Sequence, residues 1–227
     1  MGECYILRRE TIGDNNNDLN VLSQIVQMLP HKKGLTCFFD YRYLPSVNGK
    51  WNSFIGNVEI GDDTTVSKIK NHAVIRTEGN NKLQLDLSQG FTIYLIFREN
   101  MIFTGYHTVF SRIGNTPYFV IENYQNKIAL GDGVGRGGSN YTSDISSIAD
   151  YHLCVLTFDG TTKKGVFYID GEKKNSYTGY STIPSDSFYC ISTGPEYKMI
   201  AVFQNLVHND EEVKTNSEFF IEKYGLN

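Results

Sequence analysis

From Gly34 to about residue 208 the apolar residues of this chain fall in short runs without helical spacing. The runs are LTCFFDYRY, HAVIRTE, KLQLDL, FTIYLIFRE, HTVFSRIG, PYFVIENY, KIALGDG, YHLCVLTFD, GVFYIDGEK, FYCISTG and MIAVFQNLVH. They are rich in Val, Ile, Thr, Tyr and Phe, and turn clusters such as EGNN, FDGTTKKG and IDGEK separate them, which is the pattern of β-strands. Some runs, such as Leu153-Cys154-Val155-Leu156, are apolar on both faces, as expected of strands lying between two layers. No crossover helix separates the runs, so antiparallel pairing is predicted. About ten such strands in sequence predict an all-β sandwich or jelly roll.

The period changes at both ends. In DLNVLSQIVQMLP, Leu19, Leu22, Ile25, Val26 and Leu29 recur at helical spacing, Asp18 is positioned to cap, and Pro30 ends the pattern. A helix beside a sheet protein must cover its apolar stripe. It can pack back on the domain, or dock on a partner or on sister copies. The division adopted is residues 1–33 as an attachment or oligomerisation segment, giving a homo-oligomer, and residues 34–227 as the sandwich. At the other end Asn209 or Asp210 caps DEEVKTNSEFFIEKYG, with Lys223 in the last turn and Gly225 at the stop. Val213, Phe220 and Tyr224 are expected to face the sandwich.

The composition narrows the function classes. A formal net charge of −4, with signs well mixed, argues against a broad nucleic-acid surface, which needs a basic excess. No apolar run reaches the roughly 18–20 residues of a membrane helix, so no membrane insertion is expected. Met1-Gly2-Glu3-Cys4 is not the start of a secretory signal, and assembly in a cytoplasm is expected. Cys4, Cys37, Cys154 and Cys190 form no C-x-x-C pair, and the last three sit in apolar runs, as core thiols do.

One stretch looks like chemistry. Gly133-Val134-Gly135-Arg136-Gly137-Gly138 fits G-x-G-x-x-G, which in a dinucleotide site connects a strand to a helix whose amides receive a pyrophosphate. Here SNYTSDISSIADYHLCVLTF follows, a polar loop and then a strand. The glycines therefore read as a strand connector, and such loops on a rigid sandwich often bind ligands.

The stretch YHLCVLTFDGTTKKGVFYIDGEKKNSYTG resembles the central hairpin of concanavalin A-like, laminin G-like domains. Tyr151-His152 stands where the family has Trp-His, Phe158-Asp159-Gly160 at its turn, and Phe167-Tyr168-Ile169-Asp170-Gly171 at its second strand. FTIYLIFREN is similar to the family's early core strand, and the segment from Ile191 to the end is similar to its closing strand and returning helix. GLTCFFDYRYLPSVNGKWNSFIGN resembles the opening of such domains in phage structural proteins. The resemblance covers about residues 34–227 and implies a concanavalin A-like antiparallel sandwich in a bacteriophage virion protein.

The same fold hosts glucan hydrolases, whose catalytic strand carries E-x-D-x-E or E-x-D-x-x-E. No such run occurs, Glu59 and Glu78 are isolated, and no G-x-S-x-G is present. The chain is accordingly expected not to be an enzyme. Asp62, Asp63 and Asp132 offer hard oxygen ligands for a possible calcium, with no other cofactor expected. Tyr106, His107, Tyr124, Arg136, Asn140 and Tyr141 are the candidates for contact with a glycan or protein. The resulting expectation is a non-catalytic fibre, decoration or tail-associated protein that binds host-surface glycan or protein and joins other virion proteins through residues 1–33. The rivals are a purely structural capsid or tail subunit and a glycan hydrolase.

Overall fold

The computed structural model describes residues 16–43, 51–56, 58–60, 66–69, 74–77, 81–99, 106–113, 120–124, 127–131, 149–178, 183, 188–191 and 195–226. In chain order these form α1 (Asn16–Met28), β1 (Leu35–Asp40), β2 (Trp51–Asn52), β3 (Glu59–Ile60), β4 (Val66–Ile69), β5 (Val74–Thr77), β6 (Asn81–Gln84) and β7 (Gly90–Arg98). Then follow β8 (Tyr106–Ile113), β9 (Val120–Tyr124), β10 (Lys127–Gly131), β11 (His152–Asp159), β12 (Lys164–Ile169), β13 (Glu172–Thr178), β14 (Phe188–Ile191), β15 (Glu196–Gln204) and α2 (Asp210–Tyr224).

The strands make an all-β antiparallel sandwich of jelly-roll type. An eight-stranded sheet runs β13-β12-β11-β7-β15-β5-β4, with β1 also paired to β15, and a five-stranded sheet runs β10-β9-β8-β14-β6. A short β2-β3 pair is separate from both.

Three layers result, because the central strands of the large sheet are apolar on both faces. Along β7, Phe91, Ile93, Leu95 and Phe97 enter the core between the sheets, while Tyr94 and Ile96 enter a second core beneath the helices. Strand β11 divides in the same way, with Cys154, Leu156 and Phe158 on one side and Leu153 and Val155 on the other. The Cys37 and Cys154 thiols are free and buried. Burial pushes the Cys37 thiol up to about 12, so both serve as apolar filling rather than as nucleophiles.

The second core bears on the α1 part of residues 1–33, residues 1–15 being outside the described residues. Leu22, Ile25 and Leu29 of the α1 region are 0%, 4% and 2% exposed, and Val26 packs at their margin. They share a cluster with Phe38, Tyr94 and Phe203 of the sheet and Val213, Phe220 and Tyr224 of α2. The stripe that was assigned to attachment is covered by the chain's own sheet and second helix. Burying each large apolar side chain contributes roughly 1.5–3 kcal/mol, so releasing the stripe to a partner would forfeit several such terms. Leu19 lies in α1, but its side chain is outside the described residues. Among the described residues no helix is long and apolar enough to cross a membrane.

Helix α2 begins where its first turn demands. The Asn209 side chain accepts from the Glu211 and Glu212 amides, and the Glu212 carboxylate accepts from the Asn209 amide, closing a capping box. Gly225, with φ 59°, ends the helix in the left-handed region.

Candidate functional site

The motif that carried the family resemblance builds the fold. Asp170 and Gly171 join β12 to β13 as a two-residue turn with φ of 51° and 82°, the signature of a type I′ hairpin. The Asp170 carboxylate then reaches back across the sheet. Its Oδ1 accepts the Leu153 amide at 2.9 Å, and its Oδ2 lies 2.7 Å from His152 Nδ1. At the other turn, Asp159 accepts from the amides of Thr161 and Thr162. A Cβ on Gly160 would stand 2.6 Å from the Ser88 carbonyl, so glycine there permits a close backbone approach. His152, Asp159 and Asp170 fasten turns and strands to one another.

The candidate binding residues separate when the register is followed. Tyr106 of β8 stands opposite Tyr124 of β9, and Tyr124 stands opposite Lys127 of β10. These positions share one face of the five-stranded sheet. The next row holds His107, Asn123 and Ile128, and Ile128 belongs to the buried inter-sheet core. By register the positions of Tyr106, Tyr124 and Lys127 alternate with the row of His107 and Ile128; the side chains of Tyr106, His107, Tyr124 and Lys127 are outside the described residues. Arg136, Asn140 and Tyr141, together with Asp62, Asp63 and Asp132, lie outside the described residues, as does the glycine loop from Asp132 to Gly138. Among the described residues no group of three His, Cys, Asp or Glu side chains is arranged to hold a metal ion.

A second polar constellation has no counterpart in the sequence-derived candidates. It sits on the helix side of the large sheet, at the end of β7, β15 and β1. Arg98 and Glu196 are partners in the β7–β15 register, and Arg98 Nη2 lies 2.7 Å from Glu196 Oε2. The Arg98 guanidinium stands over the Tyr151 ring, 4.8 Å from its centroid. The Lys198 ammonium stands 4.1 Å from the same centroid. Next to them Arg42 Nε donates to the buried Asp40 carboxylate at 2.7 Å, and its guanidinium is 5.1 Å from the centroids of both Tyr41 and Tyr224. The Tyr224 hydroxyl also donates to Asp40, and Trp51 Nε1 donates to the Asp40 carbonyl at 3.0 Å. Burial, then Arg98, then Arg42 lower the pKa of Lys198. By register Arg76 on β5 stands opposite Glu196 on its other side. The result is a half-buried group of cations and tyrosine rings assembled from segments far apart in sequence.

No family model matches the chain, and no curated protein matches it. Solved structures do resemble it. Trypanosoma rangeli sialidase in complex with the inhibitor DANA aligns with a TM-score of 0.64 at 13% identity, over 88% of this chain and 37% of that one. The binding domain of botulinum neurotoxin DC in complex with rat synaptotagmin II aligns with a TM-score of 0.60 at 12% identity, over 86% and 52%. Botulinum neurotoxin type C, whose uptake by cells depends upon interaction with two ganglioside molecules, gives a TM-score of 0.61 at 11% identity, over 91% and 53%. The chain thus spans from about a third to about half the length of these structures. At these identities the likeness is one of fold, and it agrees with the β-sandwich built above.

The sialidase corrects the expectation that the chain is not an enzyme. That expectation rested on the missing E-x-D-x-E run, which tests for one arrangement of catalytic carboxylates only. A chain of similar fold occurs within a sialidase, so the lack of a glucanase strand does not make this sandwich non-catalytic.

Proposed function

We propose that this chain is a carbohydrate-binding β-sandwich that offers the outer face of its five-stranded sheet to a host-surface glycan. The observation that carries the reading is the register that sets Tyr106 opposite Tyr124, with Lys127 next in the row. Neighbouring strands lie about 4.8 Å apart, so two tyrosines directly opposite form an adjoining pair of aromatic positions. Tyrosine offers an apolar ring face and a polar hydroxyl together, which suits the mixed C–H and hydroxyl surface of a sugar. Lys127 adds a cation to the same row. Further support comes from proteins of similar fold whose structures hold sialic acid or whose action depends upon gangliosides. The setting we propose is a phage virion, and its support is the likeness of the segment from Gly34 to Asn57 to the opening of such domains in phage structural proteins.

The test is a glycan array probed with the full chain and with the Tyr106→Ala and Tyr124→Ala variants, each checked for an unchanged melting temperature. Saturable retention on a defined sugar is expected, weakened by roughly tenfold in each variant, the size of effect that losing one aromatic contact produces. No retention on any glycan, or equal retention by the variants, would overturn the reading. Sugar released into solution from the same surface would identify hydrolysis in addition to binding.

A further inference from the structure

We propose that Lys198, Arg98 and Tyr151 form a second ligand site, one that takes the carboxylate of an acidic sugar. The site is on the helix side of the large sheet, away from the outer face of the five-stranded sheet, and does not depend on the tyrosine row. Only the choice of a sugar as the carrier of the carboxylate rests on the glycan reading above.

The argument starts from charge. Arg98 has Glu196 at 2.7 Å and Arg42 has Asp40 at 2.7 Å, whereas among the described residues no carboxylate is paired with Lys198. Its ammonium donates to the Tyr224 carbonyl at 3.3 Å, at the end of α2 where the helix dipole is negative. An ammonium has three donors, so with one directed at the Tyr224 carbonyl and the Tyr151 ring face beside it capacity remains for a ligand. Lys198 is also half-buried, and a cation partly removed from water without an opposing charge is costly to keep. Its neighbours increase that cost, because Arg98 and Arg42 are both close enough to disfavour its charge. An entering anion supplies the missing opposite charge.

The chemistry of the anion follows from the same residues. Among the described side chains of the group, Arg98 and Arg42 each face a carboxylate and Lys198 alone does not, which matches a monoanion better than a phosphate dianion. Arg98, 26% exposed at its side chain, adds planar N–H donors that suit a carboxylate. Tyr151 and Tyr41, both half-buried, place aromatic rings beside the charge, against which the body of a sugar would pack. A bare carboxylate would leave those rings unused.

The experiment titrates the full chain with glucuronate, glucose, acetate and inorganic phosphate by calorimetry, with Tyr151 ring protons followed by NMR. Glucuronate is expected to bind and to shift the Tyr151 ring signals, while glucose at equal concentration leaves them unmoved. Lys198→Met preserves length and packing over the ring and is expected to weaken glucuronate by roughly tenfold or more, as loss of one partner from a partly desolvated charge pair does. Lys214→Met makes the same change of net charge on the exposed face of α2, where Lys214 is 62% exposed, and is expected to bind like the parent. No glucuronate binding, or equal binding by Lys198→Met, would overturn the site. Acetate binding as tightly as glucuronate would overturn the sugar assignment, and tighter phosphate binding would overturn the carboxylate. Retention of array glycans by Lys198→Met, with glucuronate binding lost, would separate this site from the tyrosine row.

Discussion

Mild acid should weaken this fold through one buried histidine. His208 follows β15 and is 2% exposed, with its ring 4.4 Å from Phe203 and 5.8 Å from Tyr94 between centroids. Asn216 fixes the hydrogen-bond directions around it. Its Oδ1 accepts the His31 amide at 2.9 Å and its Nδ2 donates to the His31 carbonyl at 3.2 Å, which settles which way the side-chain amide points. The same Nδ2 donates to the Tyr94 hydroxyl at 3.4 Å, so the tyrosine proton is directed at His208 Nδ1, 2.8 Å away. The neutral ring then carries its own proton on Nε2, a buried atom with no hydrogen-bond partner among the described residues. A second proton would have to displace the Tyr94 donor in an apolar setting. Burial accordingly depresses the His208 pKa from 6.5 to about 4, with His31 adding to the depression and Glu212 opposing it.

The folded state therefore refuses a proton that the unfolded chain accepts. Stability from this group is complete above the unfolded value of 6.5 and is lost as pH falls toward about 4. Linkage makes the loss about 2 kcal/mol by pH 5, or about 4–8 °C in melting temperature for a chain of this size. The assay is thermal unfolding at pH 7 and pH 5 for the parent chain and for His208→Gln. The difference between the two slopes isolates this histidine from the other titrating groups. Equal slopes would refute the reasoning. So would an NMR titration of the parent placing the His208 pKa at or above 6.5, a measurement that does not need the variant to fold.

Two stability predictions test other parts of the architecture. Leu22→Ala should cost about 3 kcal/mol by leaving a cavity between α1 and the sheet, seen as a lower denaturant midpoint, whereas a stripe reserved for a partner would leave the isolated chain unaffected. Asp170→Ala should cost about 2–3 kcal/mol, because the buried Leu153 amide loses its acceptor and alanine is strained at φ 51°. Asp170→Asn keeps an acceptor oxygen and tolerates the left-handed backbone, so its unfolding midpoint should fall by less than half as much.

What could be read from the sequence were the features that repeat locally. The runs that are apolar on both faces announced a sheet covered on both sides, and β11 divides its residues between two cores accordingly. The Asp-Gly pairs announced turns, and Asp170-Gly171 closes the β12–β13 hairpin. The cap of α2 was narrowed to two residues, and its reciprocal hydrogen bonds assign it to Asn209. The destination of the α1 stripe was not legible, for a physical reason. Leucines at helical spacing look the same whether a partner or the chain itself covers them, and the residues that do cover them come from β1, β7, β15 and α2.

The cationic cluster was illegible for a different reason, and that reason bears on where function resides in such a sandwich. Arg42 and Tyr41 follow β1, Arg98 ends β7, Tyr151 precedes β11, and Lys198 falls in the register irregularity of β15 between Tyr197 and Met199. No two of these segments are neighbours in sequence, so no motif can express their meeting. The conspicuous motif, His152 with Asp170-Gly171, is used in tying strand to turn. A resemblance carried by that hairpin therefore transmits the fold and leaves the ligand undetermined. The two ligand sites proposed for this chain lie away from that hairpin, at the Tyr151 cluster on the helix side of the large sheet and at the Tyr106 and Tyr124 positions of β8 and β9. On that proposal, substitutions at either place should change what is bound without disturbing the fastenings that hold the sheets.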